Sequence, residues 1–472
     1  MSLQANTPDP TTRTDQELIM TKPTPDSHGD TTARSGHSGI SRRGMLAAAG
    51  AGAAVTAGGL LPATAHAARP AQEPRQTVRP GADVAADDDW SVFAGRKIGV
   101  ITNPTGIVRD GLISIVDQMH ASGKVDVGAV FGPEHGFRGS AQAGESEDTY
   151  VDERTGITVY DAYGANAAKF ETFYAESGID TVVFDIQDVG VRFYTYIWTM
   201  YEAMIAAIRT GGKTFVVLDR PNPVGGTPHG AMMRDGFTSG VGKDKILQAH
   251  GMTAGEVARY FNGELMAEAA GGQLDEIEVV KVDGWSPDML FAETGLTWTL
   301  PSPNMPTPDT ALLYYGTGLF EATNMSEGRG TTRPFELIGA PYADHRWATT
   351  LNERDIPGVE FREAYFNPTF SKHAGEVCAG VQVHIMEPHE VNSLLVATHM
   401  MTAARDLYDD FGWRALDGAN PGRWLGLLTG SDKFQQLFEA GASAEQISRM
   451  WRADERSFDR QRRQYLLYPR TR

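Results

Sequence analysis

One cysteine, Cys378, stands among 472 residues, so an intrachain disulfide and a thiolate-rich zinc site are both excluded. It lies in Glu376-Val377-Cys378-Ala379-Gly380, directly ahead of the strand-like Val381-Gln382-Val383-His384-Ile385, and so reads as a core residue rather than a nucleophile. No Gly-x-Gly-x-x-Gly follows the first strand, where Asn103-Pro104-Thr105-Gly106 stands instead, and there is no Gly-x-x-x-x-Gly-Lys-Ser/Thr loop. Dinucleotides and nucleoside triphosphates are therefore disfavoured. Gly-x-Ser-x-Gly is missing as well, which argues against a serine esterase or amidase. Basic residues are in deficit, 42 against 60 acidic, for a formal charge of −18. That balance repels nucleic acid and anionic lipid, while a local arginine can still dominate inside a pocket.

Long apolar runs are also lacking. The only candidate, Ala47 to Leu61, is short and weakly hydrophobic against the roughly 20 residues a spanning helix needs. It follows Ser41-Arg42-Arg43-Gly44-Met45-Leu46 and precedes Ala65-His66-Ala67, which together read as a twin-arginine signal with cleavage after Ala67. The polar stretch ahead of the arginines is long for a signal and leaves Met20 as an alternative start. The expectation is export by the twin-arginine pathway, an extracytoplasmic location and no stable membrane association after cleavage. Residues 68–90, rich in Pro, Ala, Asp and Arg, read as a disordered linker.

From Arg96 short apolar strands alternate with helices. Lys97 to Ile101, Val125 to Val130, Thr181 to Phe184 and Thr214 to Leu218 read as buried strands. Leu112 to Ala121, Ala167 to Glu176 and Tyr196 to Arg209 read as helices. The pattern predicts an α/β fold: a Rossmann-like doubly wound domain over 91–300, its mostly parallel sheet covered on both faces. A smaller C-terminal α/β domain over 301–472 follows the proline-rich Leu300-Pro301-Ser302-Pro303-Asn304-Met305-Pro306, with helices at Ala311 to Phe320 and Val391 to Leu407. Ligands of a doubly wound sheet sit beyond the C-terminal strand ends.

Unusual residues collect in the loops at those ends. The first is Phe131-Gly132-Pro133-Glu134-His135-Gly136-Phe137-Arg138-Gly139, the second Asp185 to Tyr194, the third Asp219 to Gly226. A carboxylate between Gly132-Pro133 and Gly136 sits on stiff but open backbone, which suits a proton-transferring group. Glu134 is the leading candidate for the catalytic acid/base.

These loops, together with Ile98 to Gly106, His250-Gly251-Met252-Thr253, Ser302 to Pro306 and Glu327 to Glu336, resemble the NamZ-type exo-β-N-acetylmuramidases over essentially the whole chain from Gly95 to Tyr468. The resemblance implies a Rossmann-like domain and a smaller C-terminal α/β domain with a pocket at their interface. It implies release of terminal N-acetylmuramic acid from the non-reducing end of peptidoglycan chains, and it carries Glu134 over as the catalytic residue. The expected partner is a peptidoglycan-derived glycan or muropeptide.

Glycoside hydrolysis usually takes two carboxylates. Asp185, Asp188 and Asp219 are candidates for the second, although aspartates at strand ends often cap helices or tie turns. The 2-acetamido group of the substrate is another route to a nucleophile. The lactyl carboxylate calls for a cation, and Arg138, Arg192, Arg329 and Arg333 are the candidates. Tyr194, Tyr196 and Trp198 could stack on sugar or pack a helix start. The expected substrate-binding set is His135, Arg138, Arg192, Tyr194, Asp219, Asn222, Asn304, Glu327 and Arg329. His135, His229 and His250 show no ligand spacing with Asp185 and Asp188, so no metal and no cofactor are expected. A non-catalytic wall-binding protein and a cell-wall esterase or amidase are the rival readings.

Overall fold

The computed structural model describes residues 77–141, 147–415 and 420–470. The expected signal, and the expected linker up to residue 76, lie outside them.

Seven strands form the main sheet: β1 (Lys97–Thr102), β2 (Asp126–Gly132), β3 (Tyr150–Val151), β4 (Thr158–Asp161), β5 (Thr181–Asp185), β6 (Thr214–Leu218) and, after the β7–β8 hairpin (His229–Met232, Leu247–Ala249), β9 (Ile277–Val280). Their order is β9-β6-β5-β1-β2-β4-β3, parallel except for the edge strand β3. Strand order reverses between β1 and β5, whose register runs from Ile98↔Thr181 to Thr102↔Asp185. Their C-terminal ends form the crevice where a doubly wound sheet takes its ligand.

Side-chain alternation along the strands separates two cores. Val182, Phe184, Phe215 and Val217 face α3 (Ala167–Ser177), α4 (Tyr196–Thr210) and α5 (Ala254–Glu264). Val183, Val216 and Leu218 face α1 (Gly81–Asp87) and α2 (Ile115–Ser122). Both faces being covered is why these strands read as unbroken apolar runs.

Helix α1 corrects the expected linker. Val78, Ala82, Ala85 and Trp90 are buried, and Gly81 N donates to Asp219 O at 2.7 Å. Residues 77–90 therefore belong to the folded body. The acidic, alanine-rich composition hid a short helix whose apolar residues fall four and three apart.

The second half contains α6 (Pro308–Thr317), the antiparallel sheet β10-β12-β11 (Leu337–Ala340, Cys378–Ile385, Val359–Phe366), α7 (Ser393–Leu407), α8 (Arg423–Thr429) and α9 (Arg452–Arg462). Cys378 is fully buried, and burial pushes its thiol up to about 11. The halves on either side of residue 300 interlock. Val189, Val191, Phe193, Ala231 and Ala249 pack into the core of the second half, while Phe458 of α9 packs into the core beneath α3, α4 and α5. Arg462 on α9 donates to the carbonyls of Gly226, His250 and Gly251. Among the described residues no helix is long and apolar enough to cross a membrane.

Candidate active site

Strand β2 delivers Glu134 half-buried at the C-terminal edge of the sheet. Behind it the backbone turns through two left-handed residues, His135 (φ 73°) and Gly136 (φ 77°). A Cβ at Gly136 would come 2.3 Å from Glu147 Cδ, so a side chain there would strain the left-handed backbone and displace the Glu147 carboxylate. His135 is buried, its Nδ1 3.1 Å from Ala141 O. Facing this loop, Thr195 Oγ1 donates to Glu134 Oε2 at 3.3 Å. Thr195, at the start of α4, is itself left-handed (φ 74°). Two non-glycine residues strained by about 1–3 kcal/mol each flank the contact, a pattern that clusters at functional sites.

Tyrosines surround the carboxylate. The Tyr194 ring lies edge-on to Tyr196 at 5.4 Å and to Tyr314 of α6 at 5.6 Å. Burial pushes the hydroxyls of Tyr163, Tyr196 and Tyr314 up, and the charge of Glu134 adds to each. Asp188 acts the same way on Tyr194, Tyr196 and Tyr314, so the two carboxylates flank one tyrosine cluster. Tyr194 OH donates to Ser302 Oγ at 2.9 Å, and Tyr196 OH to Pro301 O. This fixes the proline-rich segment, where the buried Asn304 Nδ2 has no hydrogen-bond partner among the described residues.

Asp188 is buried in the loop after β5. Its Oδ2 accepts from Gly190 N at 2.6 Å, and its Oδ1 has no partner among the described residues. Gly190 (φ 77°) lies against Asn222, whose Oδ1 would be 2.4 Å from a Cβ there. Asn222 Nδ2 donates to Met252 O and its Oδ1 accepts from Val224 N. Asn222 thus packs beside the Asp188 turn and spends its amide on Met252 and Val224.

Arg329 pairs with Glu321 at 2.9 Å and Glu327 at 3.3 Å, and its guanidinium lies 5.0 Å from the Phe335 ring, which packs on Tyr314. Buried Glu327 also pairs with Lys372 at 2.8 Å. Burial pushes the Glu327 carboxyl up, but Lys372 and Arg329 outweigh it and hold the group below its ordinary value.

Other expected site residues belong to the scaffold. Asp185 is fully buried in a two-point pair with Arg220 (2.5 and 2.9 Å); burial pushes its carboxyl up and Arg220 partly offsets this. Arg138 divides its guanidinium between Asp117 and Asp152 at 2.9–3.1 Å. Arg192, fully buried, donates to the carbonyls of Ala231, Ile246 and Leu428, and burial lowers it to about 9. It joins the first half to α8 and cannot meet a substrate. Arg333, half-exposed, lies 3.4 Å from Glu336. Tyr196 and Trp198 are buried, Trp198 stacked on Phe261 at 5.5 Å, so neither presents a face for a sugar. His229 stacks on Tyr315, and burial lowers it to about 4. Among the described residues no three His, Cys, Asp or Glu side chains could hold a metal ion. A small cleft of about 30 Å³ lined by Ile107, Gln187, Arg220 and Phe291 includes neither Glu134 nor Asp188.

Asp219 is fully buried and accepts from Thr253 Oγ1, Gly255 N, Arg220 N and Tyr468 OH at 2.6–3.1 Å. Burial nevertheless pushes its carboxyl up to about 7. Between about pH 4 and that value the folded chain holds a proton the unfolded chain has lost, so this group's contribution to stability falls as pH rises. Between pH 5 and pH 7 the wild type should lose about 2 kcal/mol more than Asp219→Asn, read from urea midpoints at the two pH values.

The description of exo-β-N-acetylmuramidase NamZ, N-terminal, matches residues 98–309, and that of its C-terminal part matches 312–468. The chain belongs to the NamZ exo-β-N-acetylmuramidase family. It is 42% identical over 394 residues to the peptidoglycan β-N-acetylmuramidase NamZ of Bacillus subtilis (strain 168), covering 83% of this chain and 91% of that protein. Two crystal structures of DUF1343 family proteins from Bacteroides fragilis NCTC 9343 have a similar fold. One is 35% identical with a TM-score of 0.73 over 84% of this chain and all of the other; the second is 28% identical with a TM-score of 0.64, over 84% and 99%. In this NamZ family member the charges of Glu134, Asp188 and Arg329 act on one tyrosine cluster, and Tyr194 of that cluster bonds Ser302 two residues before Asn304; His135 adjoins Glu134, and Glu327 pairs with Arg329. Sequence reasoning missed Thr195, Tyr163, Tyr314, Glu321 and Lys372. Tyr314 carried no signal inside an apolar helix, and the left-handed turn at Thr195 is visible only in the backbone.

Proposed function

We propose that this chain is an exported exo-β-N-acetylmuramidase that hydrolyses the β-1,4 bond of terminal N-acetylmuramic acid at the non-reducing end of peptidoglycan fragments. The observation that carries this reading is Glu134, held half-buried between strained turns at the sheet edge, with Asp188 across the tyrosine cluster. Glu134 protonates the leaving oxygen as the C1–O bond breaks, and the electron pair stays on that oxygen. Asp188 supplies the negative charge that stabilises the oxocarbenium-like ring. Water then bonds to C1 and releases a proton to solvent, from which Glu134 is reprotonated. Arg329, the partly open arginine nearest the cluster, meets the lactyl carboxylate, and the unpartnered Asn304 Nδ2 donates to the sugar. Family membership supports the substrate class, and Ser41-Arg42-Arg43 supports export.

The test is a time course on the tetrasaccharide MurNAc-GlcNAc-MurNAc-GlcNAc, read by mass spectrometry. Free N-acetylmuramic acid and a trisaccharide are the expected first products. Early free N-acetylglucosamine with the trisaccharide MurNAc-GlcNAc-MurNAc would overturn the exo mode, and early disaccharides, which come from the central GlcNAc–MurNAc bond, would overturn the bond specificity. Binding without release would favour a glycan-binding protein, and loss of acyl groups with intact glycosidic bonds an esterase or amidase.

A further inference from the structure

His250 is 1% exposed and has no part in the mechanism above, although it opens the His-Gly-Met-Thr motif. Its backbone N donates to Gly190 O at 3.1 Å, and Gly190 N in turn donates to Asp188 Oδ2. The Nδ1 atom accepts from Met252 N at 3.2 Å. A ring nitrogen that accepts a backbone N–H carries no proton, so the proton of the neutral imidazole sits on Nε2. That Nε2 lies 3.7 Å from Asp188 Oδ2 and has no hydrogen-bond partner among the described residues. The spacing is just beyond a hydrogen bond, and catalytic contacts are often long until substrate is bound. Gly190, bonded to both residues, joins the imidazole's backbone to the carboxylate, and Asn222 packs against it while donating to Met252 O.

We propose that His250 is the positioning residue of Asp188: a buried Nε2–H donor of fixed tautomer that closes on the carboxylate when substrate enters and holds it aimed at the sugar. This rests on the reading of Asp188 as the second carboxylate. His250 transfers no proton, because Nδ1 is occupied as an acceptor.

The test pairs His250→Ala with His250→Gln, whose amide nitrogen can reach the Nε2 position. On the tetrasaccharide, His250→Ala should lose about 10²-fold in kcat with KM within about twofold, the behaviour of an interaction made in the transition state. His250→Gln should recover most of that loss. Equal loss in both variants, or unchanged kcat in His250→Ala, would overturn the proposal. A second measurement stands apart from activity and from the folding of the variants: ¹⁵N NMR of wild type carrying labelled histidine. Signals of a bare Nδ1 and a protonated Nε2, the latter shifted in Asp188→Asn, are expected; a protonated Nδ1 would sink the assignment. Should the wild type release no sugar, the enzymatic reading fails, and the NMR result still decides the pairing.

Discussion

Glu134→Gln is expected to lower release of N-acetylmuramic acid from the tetrasaccharide by about 10³-fold, within the range for loss of a positioned acid or base. The amide keeps the size of the side chain and can still meet Thr195 Oγ1, so folding and substrate binding should survive. A second substrate isolates the role. On a nitrophenyl β-N-acetylmuraminide, whose leaving phenolate needs no protonation, the same variant should lose less than about tenfold. Equal large losses on both substrates would make Glu134 the nucleophile or the base that activates water. Unimpaired cleavage of the tetrasaccharide would remove it from the chemistry altogether.

The largest effect on stability is expected at Arg220. Its guanidinium is the two-point partner of Asp185, and both are buried, with 7% and 0% of their side chains exposed. Arg220 also donates to Ile107 O, tying the loops after β1, β5 and β6 together. Arg220→Met leaves a carboxylate in the core without its cation, which costs about 3–5 kcal/mol. The double variant Arg220→Met with Asp185→Leu removes both charges and should recover most of the loss, since an apolar pair of similar volume is often as stable as a buried ion pair. Urea midpoints of the three variants check this. A double variant no more stable than Arg220→Met would mean that the bond to Ile107 O, and not the ion pair, holds this edge.

The sheet was legible because strands buried on both faces need unbroken apolar runs. Thr181 to Phe184 and Thr214 to Leu218 were found to within one residue. The site was legible in part. Loops after successive parallel strands converge by topology, which brings Glu134 and Asp188 to one edge without any knowledge of side-chain direction. Direction is what sequence withholds. Asp185 ends β5 and Asp188 stands three residues on, yet one pairs with Arg220 in the core while the charge of the other acts on the tyrosines. Arg138 and Arg192 looked like carboxylate binders, but their partners, Asp117 with Asp152 and three carbonyls, come from distant parts of the chain. The crossing of α9 back to the first half, through contacts more than 200 residues long in sequence, was hidden for the same reason.

The bond from Tyr468 to Asp219 spans 249 residues, with Arg462 and Phe458 closing on the same half just before it. Synthesis runs from the amino end at roughly 5–20 residues per second, so the ribosome takes about 10–50 s after Asp219 emerges to supply that hydroxyl. Throughout that interval the nascent first half holds an acidic group in its core with one donor missing and the seat of α9 uncovered. Such a half-finished chain is a natural client for holding chaperones, and a stalled ribosome or an early stop codon would strand it there.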